Sequence, residues 1–459
     1  MTIKTKIKEV PGFQFVADNM EFMSAAGRRR MMEQQWISNP DGLQREKDAV
    51  SAMLNTLSLA DASQAVNTLR HQLMQLHDLH TTIQSLQSHI VLDEVELFEL
   101  KNLSYIANIA RHALEQLNLL TLFPIPDVQE VFHILDPDNT GIPNFYIYDS
   151  YDNRLAPLRK QLKQAEESEK AALIDLQNQY QHQVIDRLCD MLHPYAAKLS
   201  EVLETMAYID FVMARAYLSK QWDLRPSRDY EGRYFIKGLF NPRLRLHNEE
   251  VGLRYQPIDI DLTEGVTLVT GANMAGKTVL LKSVGLAQIM YQFGFPVPAA
   301  DCCLPCFDDV VFCIGDEQNE MNGLSSFAAE ITRISDVVGR SQSEHLMVLV
   351  DEPARTTNPV EGKALVQALA SLMHKRDSLT MITTHYGNLG ISCRRLRVRG
   401  FVENMVDIPL TAQNINRFID YSLIPDDSDE VPHEAIKIAE MLSCHPDLIA
   451  SAKLFLQDA

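Results

Sequence analysis

Two architectures are predicted in this one chain. Residues 1–230 read as an all-α domain, residues 231–401 as an α/β domain built on a parallel, helix-covered sheet, and residues 402–459 as a short helical segment. Three observations predict this division. The first 230 or so residues hold few glycines and long stretches of apolar residues at helical spacing. Beyond about residue 250, short apolar runs alternate with helical patterns, the order that produces parallel strands joined by helices. At Gly271–Thr278 a glycine-bearing loop stands between such a run and a helix.

In chain order, Leu54, Leu57 and Leu59, then Leu69, Leu73 and Leu76, then Leu79, Ile83 and Leu86 mark the apolar faces of amphipathic helices. Asp136-Pro137-Asp138-Asn139-Thr140-Gly141 is turn chemistry, and Phe145–Tyr148 is a strand-like or extended aromatic run. The turn opens like a calcium loop, but Ile147 stands where such a loop needs a bidentate glutamate, so that reading fails. From about Asn153 to Leu192, and again from about Pro194 to Trp222, the composition favours helix, with the break at His193-Pro194 because the residue before proline is pushed out of helical geometry. Two such helices would form either an arm of roughly 40 to 60 Å or a packed pair within a bundle. Asp223–Glu250, rich in Arg, Pro, Gly and Asn, reads as the joint to the α/β domain.

Val266-Thr267-Leu268-Val269 enters the glycine loop as a buried strand, and Val279, Leu280, Leu281, Val284, Leu286 and Ala287 leave it at helical spacing. The loop itself, Gly271, Ala272, Asn273, Met274, Ala275, Gly276, Lys277 and Thr278, fills the pattern G-x-x-x-x-G-K-[ST], the P-loop that cradles a nucleoside triphosphate. Gly271 and Gly276 allow torsions that turn successive N–H groups inward on phosphate oxygens, and the start of the following helix adds its positive end. Lys277 would neutralise the β- and γ-phosphates of ATP, and the Thr278 hydroxyl would hold Mg²⁺. Further along, His345–Val350 is a strand ending in Asp351-Glu352. Asp351 is placed to hold Mg²⁺ through water, and Glu352 to act on the attacking water as base or positioning group.

Composition narrows the rest. The 459 residues are 46% hydrophobic and 22% charged, as in ordinary globular protein, with room for two or three domains. The net charge of -19 argues against strong non-specific attraction to DNA, leaving only a local basic patch. Arg394-Arg395-Leu396-Arg397-Val398-Arg399 reads as an exposed, charged edge strand of the sheet, with a phosphate contact as the alternative. No stretch has the apolar length to cross a membrane, and the N-terminus lacks the core of a signal peptide, so a cytoplasmic protein with seven free thiols is expected. Cys302, Cys303, Cys306 and Cys313 include a C-x-x-C spacing but no second pair, which favours buried small residues over zinc. The acidic loop Asp426–Glu430 precedes helical periodicity through Ile436, Ile438, Ala439 and Leu442 and a last helix after His445-Pro446.

Together these residues resemble the ATPase core of the MutS family, the mismatch-repair ATPases related to ABC transporter nucleotide-binding domains. Thr270–Thr278 corresponds to that family's T-G-P-N-M-G-G-K-S/T, Ser325–Glu330 to S-T-F-x-x-E, Asp351-Glu352 to D-E, and Thr384-His385-Tyr386 to T-H-Y. Gly27-Arg28-Arg29-Arg30 with Trp36–Pro40 resembles the start of the family's core domain, Leu135–Asp149 with Leu158-Arg159 its middle, and Val431–Leu456 the helical dimerisation segment. The resemblance implies an ABC-type P-loop ATPase domain after an all-α core and lever domain. It also implies a dimer with composite sites, in which Ser325 reaches the γ-phosphate bound to the other subunit and His385 senses that phosphate or the attacking water.

Departures from the family pattern bear on function. Set against that pattern, the chain is expected to lack a mismatch-reading domain and connector before the core and a nuclease domain after Ala459, and the stretch between Arg159 and Pro194 is too short for a DNA-gripping clamp. The family's G-R-G-T-S after the D-E is here Pro353-Ala354-Arg355-Thr356-Thr357, without either glycine, and Gly315-Asp316-Glu317-Gln318 resembles the branch lacking mismatch recognition. Two readings follow. One is a DNA repair or recombination ATPase, a homodimer or MutS-like heterodimer. The other is an ATP-driven factor acting on a protein client, such as the reactivase of a cobalamin-dependent aminomutase. Tyr234, Phe235 and Phe240 lie where an adenine-stacking residue might be sought, although core packing is the favoured use of each.

Overall fold

The computed structural model describes residues 1–271, 276–315, 326–401, 418–426, 436, 439 and 444–457. Ala272, Asn273, Met274, Ala275, the Asp316-Glu317-Gln318 motif and Ser325 lie outside the described residues, as does most of 402–443. The chain divides into two compact units. One gathers Met1–Lys4, Met20–Gln35 and Asp48–Leu218, the other Thr5–Asn19, Trp36–Lys47 and Ser219–Ala459.

Up to the first strand the helices are α1 (Ile3–Glu9), α2 (Pro11–Asp18), α3 (Ala25–Glu33), α4 (Pro40–Thr56), α5 (Ser63–Met74), α6 (His80–Gln87), α7 (Glu94–Gln116), α8 (Gln129–Ile134), α9 (Leu155–Gln164), α10 (Glu167–Leu192) and α11 (Ala196–Trp222). The first unit is built from α3 and α5 to α11, with the later part of α4. Leu69, Leu73, Leu76, Leu79, Ile83 and Leu86 enter its core beside Leu100, Ile106, Leu199 and Met206. Leu59, grouped by spacing with Leu54 and Leu57, is instead exposed in the turn after α4. Local chemistry sets the ends: Asp93 and Glu96 form a reciprocal capping box at the start of α7, at 2.8 and 2.9 Å. Ser24 caps α3 through the Gly27 N–H and donates its own hydroxyl to Asp210 of α11 at 2.7 Å.

The turn at Asp136–Gly141 is organised around an internal cation. Lys101 of α7 is fully buried and donates to Asp136 Oδ1 at 3.0 Å and to the Asn144 carbonyl at 2.7 Å. Burial raises the Asp136 carboxyl, but hydrogen bonds from Thr140, Gly141 and Lys101 outweigh it and hold the group down to about 2.

The helix expected over 153–192 is two helices. Ala165 and Glu166 are extended, and no proline or glycine marks the break. α9 packs beside α10, with Arg154 donating to Gln183 at 2.8 Å and its guanidinium 4.0 Å from the Tyr180 ring. Only the end of α10, from Val184 onward, is buried. The expected break at His193-Pro194 is a 3₁₀ turn, His193–Tyr195, but His193 keeps helical torsions, φ -48° and ψ -43°, contrary to the expectation.

The second unit continues with β1 (Tyr234–Leu239), α12 (Pro242–Glu250), β2 (Ile258–Leu262), β3 (Gly265–Thr270), α13 (Lys277–Gln292), β4 (Asp301–Cys303), β5 (Asp309–Cys313), α14 (Ser326–Arg340), β6 (Leu346–Asp351), α15 (Pro359–Met373), β7 (Ser378–Thr383), β8 (Arg394–Phe401), β9 (Ile419–Pro425) and α16 (Pro446–Gln457). A six-stranded sheet runs β5-β6-β7-β3-β8-β9, parallel except for the antiparallel β9, and β2-β1-β4 form a separate antiparallel sheet. Every residue of β3 and β7 is buried, as a parallel sheet covered on both faces requires. Val348 and Val350 of β6 pack with Val337 of α14 and Val366 and Met373 of α15. Leu349 points the other way, to Gly285 of α13. The first residues of the unit join it at the other end: Phe13 of α2 stacks on Phe293 at 5.4 Å, and Lys6 donates to Asp309 Oδ1 of β5 at 2.9 Å.

Two sequence expectations are corrected here. The arginine-rich run is strand β8, but it lies inside the sheet between β3 and β9 and is not an edge. Its covering strand β9 comes from within the stretch read as a helical C-terminal segment. Arg394 and Arg399 are paired with Asp261 and Asp420, each at 3.4 Å. Among the described residues no helix is long and apolar enough to cross a membrane.

Candidate functional site

The carboxyl ends of β3, β6 and β7 meet, and each delivers part of one constellation. β3 ends at Thr270 and leads into the glycine loop. Gly276 closes the loop at φ +74°, a conformation open to glycine, and α13 starts at the next residue, so Lys277 and Thr278 occupy its first turn. Lys277 is buried, and its Nζ donates to the Gly271 carbonyl at 2.7 Å. The same Nζ lies 3.1 Å from Glu352 Oε1.

Asp351 and Glu352 end β6. β7 lies between β6 and β3, and Thr278 in the first turn of α13 spans the gap. Thr278 Oγ1 donates to Asp351 Oδ2 at 2.6 Å. The other oxygen, Oδ1, accepts from Thr383 Oγ1 at 2.6 Å, and Thr383 also accepts the Glu352 N–H at 2.9 Å. Thr383 pairs with Asp351 across the β6–β7 ladder, which explains its reach. Sequence reading passed over Thr383, for which only its place at a strand end before Thr384-His385-Tyr386 was a signal.

Glu352 is held between two cations, Lys277 on Oε1 and Arg355 on Oε2 at 3.3 Å. His385 follows β7 and faces the same charges. Burial lowers its pKa most, the Glu352 carboxylate opposes this, and Lys277 and Arg355 add to the lowering, so the ring is neutral near pH 7. Gly271, Gly276, Lys277, Thr278, Asp351, Glu352 and His385 are thus gathered, while Ala272–Ala275 and Ser325 fall outside the described residues.

Of the aromatics singled out upstream, Tyr234 and Phe240 are core residues, buried at 2% and 4% exposure. An aromatic beside Gly276 is Tyr421 of β9, where a Cβ on that glycine would come within 3.1 Å of its ring. Gln256 steadies this strand by accepting the Tyr421 N–H at 3.2 Å and donating to Asp420 at 2.7 Å. Nothing in the sequence marks Tyr421, because β9 reaches the loop only through pairing with β8.

The four cysteines of 302–313 do not converge. Cys302 and Cys303 are neighbours on β4 and point to opposite faces, and Cys313 belongs to the other sheet. Burial pushes the Cys302 and Cys313 thiols up to about 12, and all seven cysteines are free.

Residues 267–458 match the family described as MutS domain V. Over this stretch the chain resembles the MutS family. It is 34% identical over 212 residues to Endonuclease MutS2 of Agathobacter rectalis, a match covering 45% of this chain and 26% of that protein. Against Endonuclease MutS2 of Halothermothrix orenii it is 32% identical over 244 residues, 52% of this chain and 28% of the relative. Against that of Aquifex aeolicus it is 30% identical over 261 residues, 56% and 32% respectively. The chain therefore spans between about a quarter and a third of the length of these MutS-family relatives.

Proposed function

We propose that this chain is a MutS-family ATPase subunit that binds and hydrolyses ATP with Mg²⁺ and works as a dimer in DNA repair or recombination. The observation that carries this reading is the meeting of a buried lysine, a hydroxyl–carboxylate pair and a second carboxylate at the carboxyl edge of β3, β6 and β7. Its parts are an ABC-type P-loop ATPase domain built on the second unit and an all-α core and lever domain formed by the first. Lys277 would bind the β- and γ-phosphates, turning from Glu352 and the Gly271 carbonyl to do so. Thr278 and Asp351 fit a small hard cation: both offer oxygen, and they are 2.6 Å apart. Charge neutralisation at the β- and γ-phosphate oxygens is the chemistry such an ion supplies.

Glu352, relieved of Lys277, would accept the proton of the attacking water, and neutral His385 would donate a hydrogen bond to that water or to the γ-phosphate. Tyr421, beside the loop, is placed to pack against the nucleoside. Ser325 would complete the partner's site by the family resemblance. Exposed Leu448, Leu454 and Phe455 on α16 support a dimer contact there.

A specific observation favours a second reading, a protein client in place of DNA. Only Ala165 and Glu166 separate α9 from α10, with no inserted domain, and the chain carries a net charge of -19. The test is ATP turnover with and without duplex DNA at two salt concentrations. Stimulation that weakens as salt rises supports a DNA-associated ATPase; no stimulation and no DNA retention at low salt sinks it and leaves the protein-client reading.

A further inference from the structure

Glu352 leaves β6 on an unusual backbone. Its φ is +43° and that of Ala354 is +59°, a left-handed region unfavourable to any residue with a Cβ. Such a conformation persists only where its surroundings over-determine it. Here both polar groups of Ala354 are held by side chains from other elements. Its N–H donates to Glu330 Oε1 of α14 at 2.8 Å, and its carbonyl accepts from Tyr386 Oη, beyond β7, at 3.2 Å. On the other side of Pro353, the Glu352 N–H is fixed by the Thr383 hydroxyl and carbonyl at 2.9 and 3.1 Å. α15 is cut away to admit the arrangement: a Cβ on Gly362 would lie 2.3 Å from Tyr386 Oη and 2.9 Å from the Ala354 carbonyl.

A glycine at position 354 could hold such a left-handed turn unaided. This chain has alanine and surrounds it with hydrogen bonds. We propose that Glu330 and Tyr386 are positioning residues for Glu352: gripping the Ala354 peptide groups from both sides, they set the direction in which the Glu352 carboxylate leaves the strand toward Lys277. This rests on the reading of Glu352 as the group that activates water. Neither residue needs to touch nucleotide, so their loss should slow the reaction and spare binding.

The experiment compares Glu330→Ala, Tyr386→Phe, Glu330→Gln and Gly362→Ala in the full chain. It measures kcat for ATP hydrolysis with Mg²⁺, equilibrium binding of a fluorescent ATP analogue, and Tm. Glu330→Ala and Tyr386→Phe are each expected to lower kcat by about tenfold or more, with affinity changed by less than about threefold. Glu330→Gln keeps an oxygen acceptor in place and should restore most of the rate. Gly362→Ala should lower kcat at least as much as Tyr386→Phe, because its Cβ crowds both the Tyr386 hydroxyl and the Ala354 carbonyl. A kcat within about twofold of the unaltered chain in both Glu330→Ala and Tyr386→Phe overturns the inference, as does a parallel loss of kcat, affinity and Tm. If the unaltered chain shows no ATP turnover that Lys277→Ala abolishes, the ATPase reading fails and takes this inference with it. Normal turnover with insensitive variants sinks the inference alone.

Discussion

Glu352→Gln isolates one charge at nearly constant volume. In the folded chain Glu352 lies 3.1 Å from Lys277, with side chains only 12% and 4% exposed, and its other oxygen is 3.3 Å from Arg355. Glutamine can still accept a hydrogen bond from either cation but cannot take a proton from water. Loss of a positioned base slows a proton-transfer step by about 10²–10⁴-fold, which corresponds to roughly 3–5 kcal/mol of barrier. Nucleotide affinity should hold or improve, because Lys277 no longer has a carboxylate competing with phosphate. Some stability should be lost without nucleotide, about 1–3 kcal/mol, because one partner of a largely buried ion pair has gone while an acceptor remains. The assay is phosphate release at saturating ATP and Mg²⁺, in single-turnover and steady-state modes, beside equilibrium nucleotide binding. A kcat within about threefold of the unaltered chain would refute the assignment of Glu352, whatever happened to binding.

Lys277→Ala should abolish ATP binding, read by fluorescent-nucleotide titration; retained affinity would mean that the loop Gly271–Thr278 is not the phosphate site. In the first unit, Lys101→Met should cost about 3–5 kcal/mol in chemical unfolding, because it leaves the Asp136 carboxylate buried without its cation, and a loss under about 1 kcal/mol would contradict that account. The same carboxylate sets an acid limit. With its folded pKa lowered from 3.8 to about 2, it contributes stability that is fully present above pH 4 and lost as pH falls toward 2, in all about 2 kcal/mol, a decline that Asp136→Asn should flatten in urea titrations from pH 5 to 2.

Much of the fold and of the candidate site was legible along the chain because it is written in local patterns. Periodicity marked the core faces of α5 and α6, and the apolar runs ending in Thr270 and Asp351 are buried strands, since a sheet covered on both faces needs apolar side chains at every position. Local chemistry also singled out Gly276, Lys277 and Thr278, which the structure places at a helix start, and Asp351-Glu352, which it places at a strand end. Less legible was anything that depends on what lies across the sheet. The break at Ala165-Glu166 has no local signal, and the charge of Arg394–Arg399 pointed to an edge because the partner strand β9 could not be seen. Thr383, Tyr421 and the Glu330–Ala354–Tyr386 contacts come from residues far apart in sequence that β6, β7, β8 and β9 bring to one end of the sheet.

The sequence by itself therefore determined which groups the candidate site holds, a lysine, a hydroxyl and two carboxylates, because a glycine loop before a helix and a carboxylate after a strand are each written in consecutive residues. Tertiary structure alone decided how those groups face one another. Strand order places β7 between Asp351 and the loop, so that Thr278 reaches the carboxylate from above while Thr383 takes it from the side. It also decided that an alanine can stand in a left-handed turn. That conformation is set by hydrogen bonds from a helix and a loop that no run of neighbouring residues encodes.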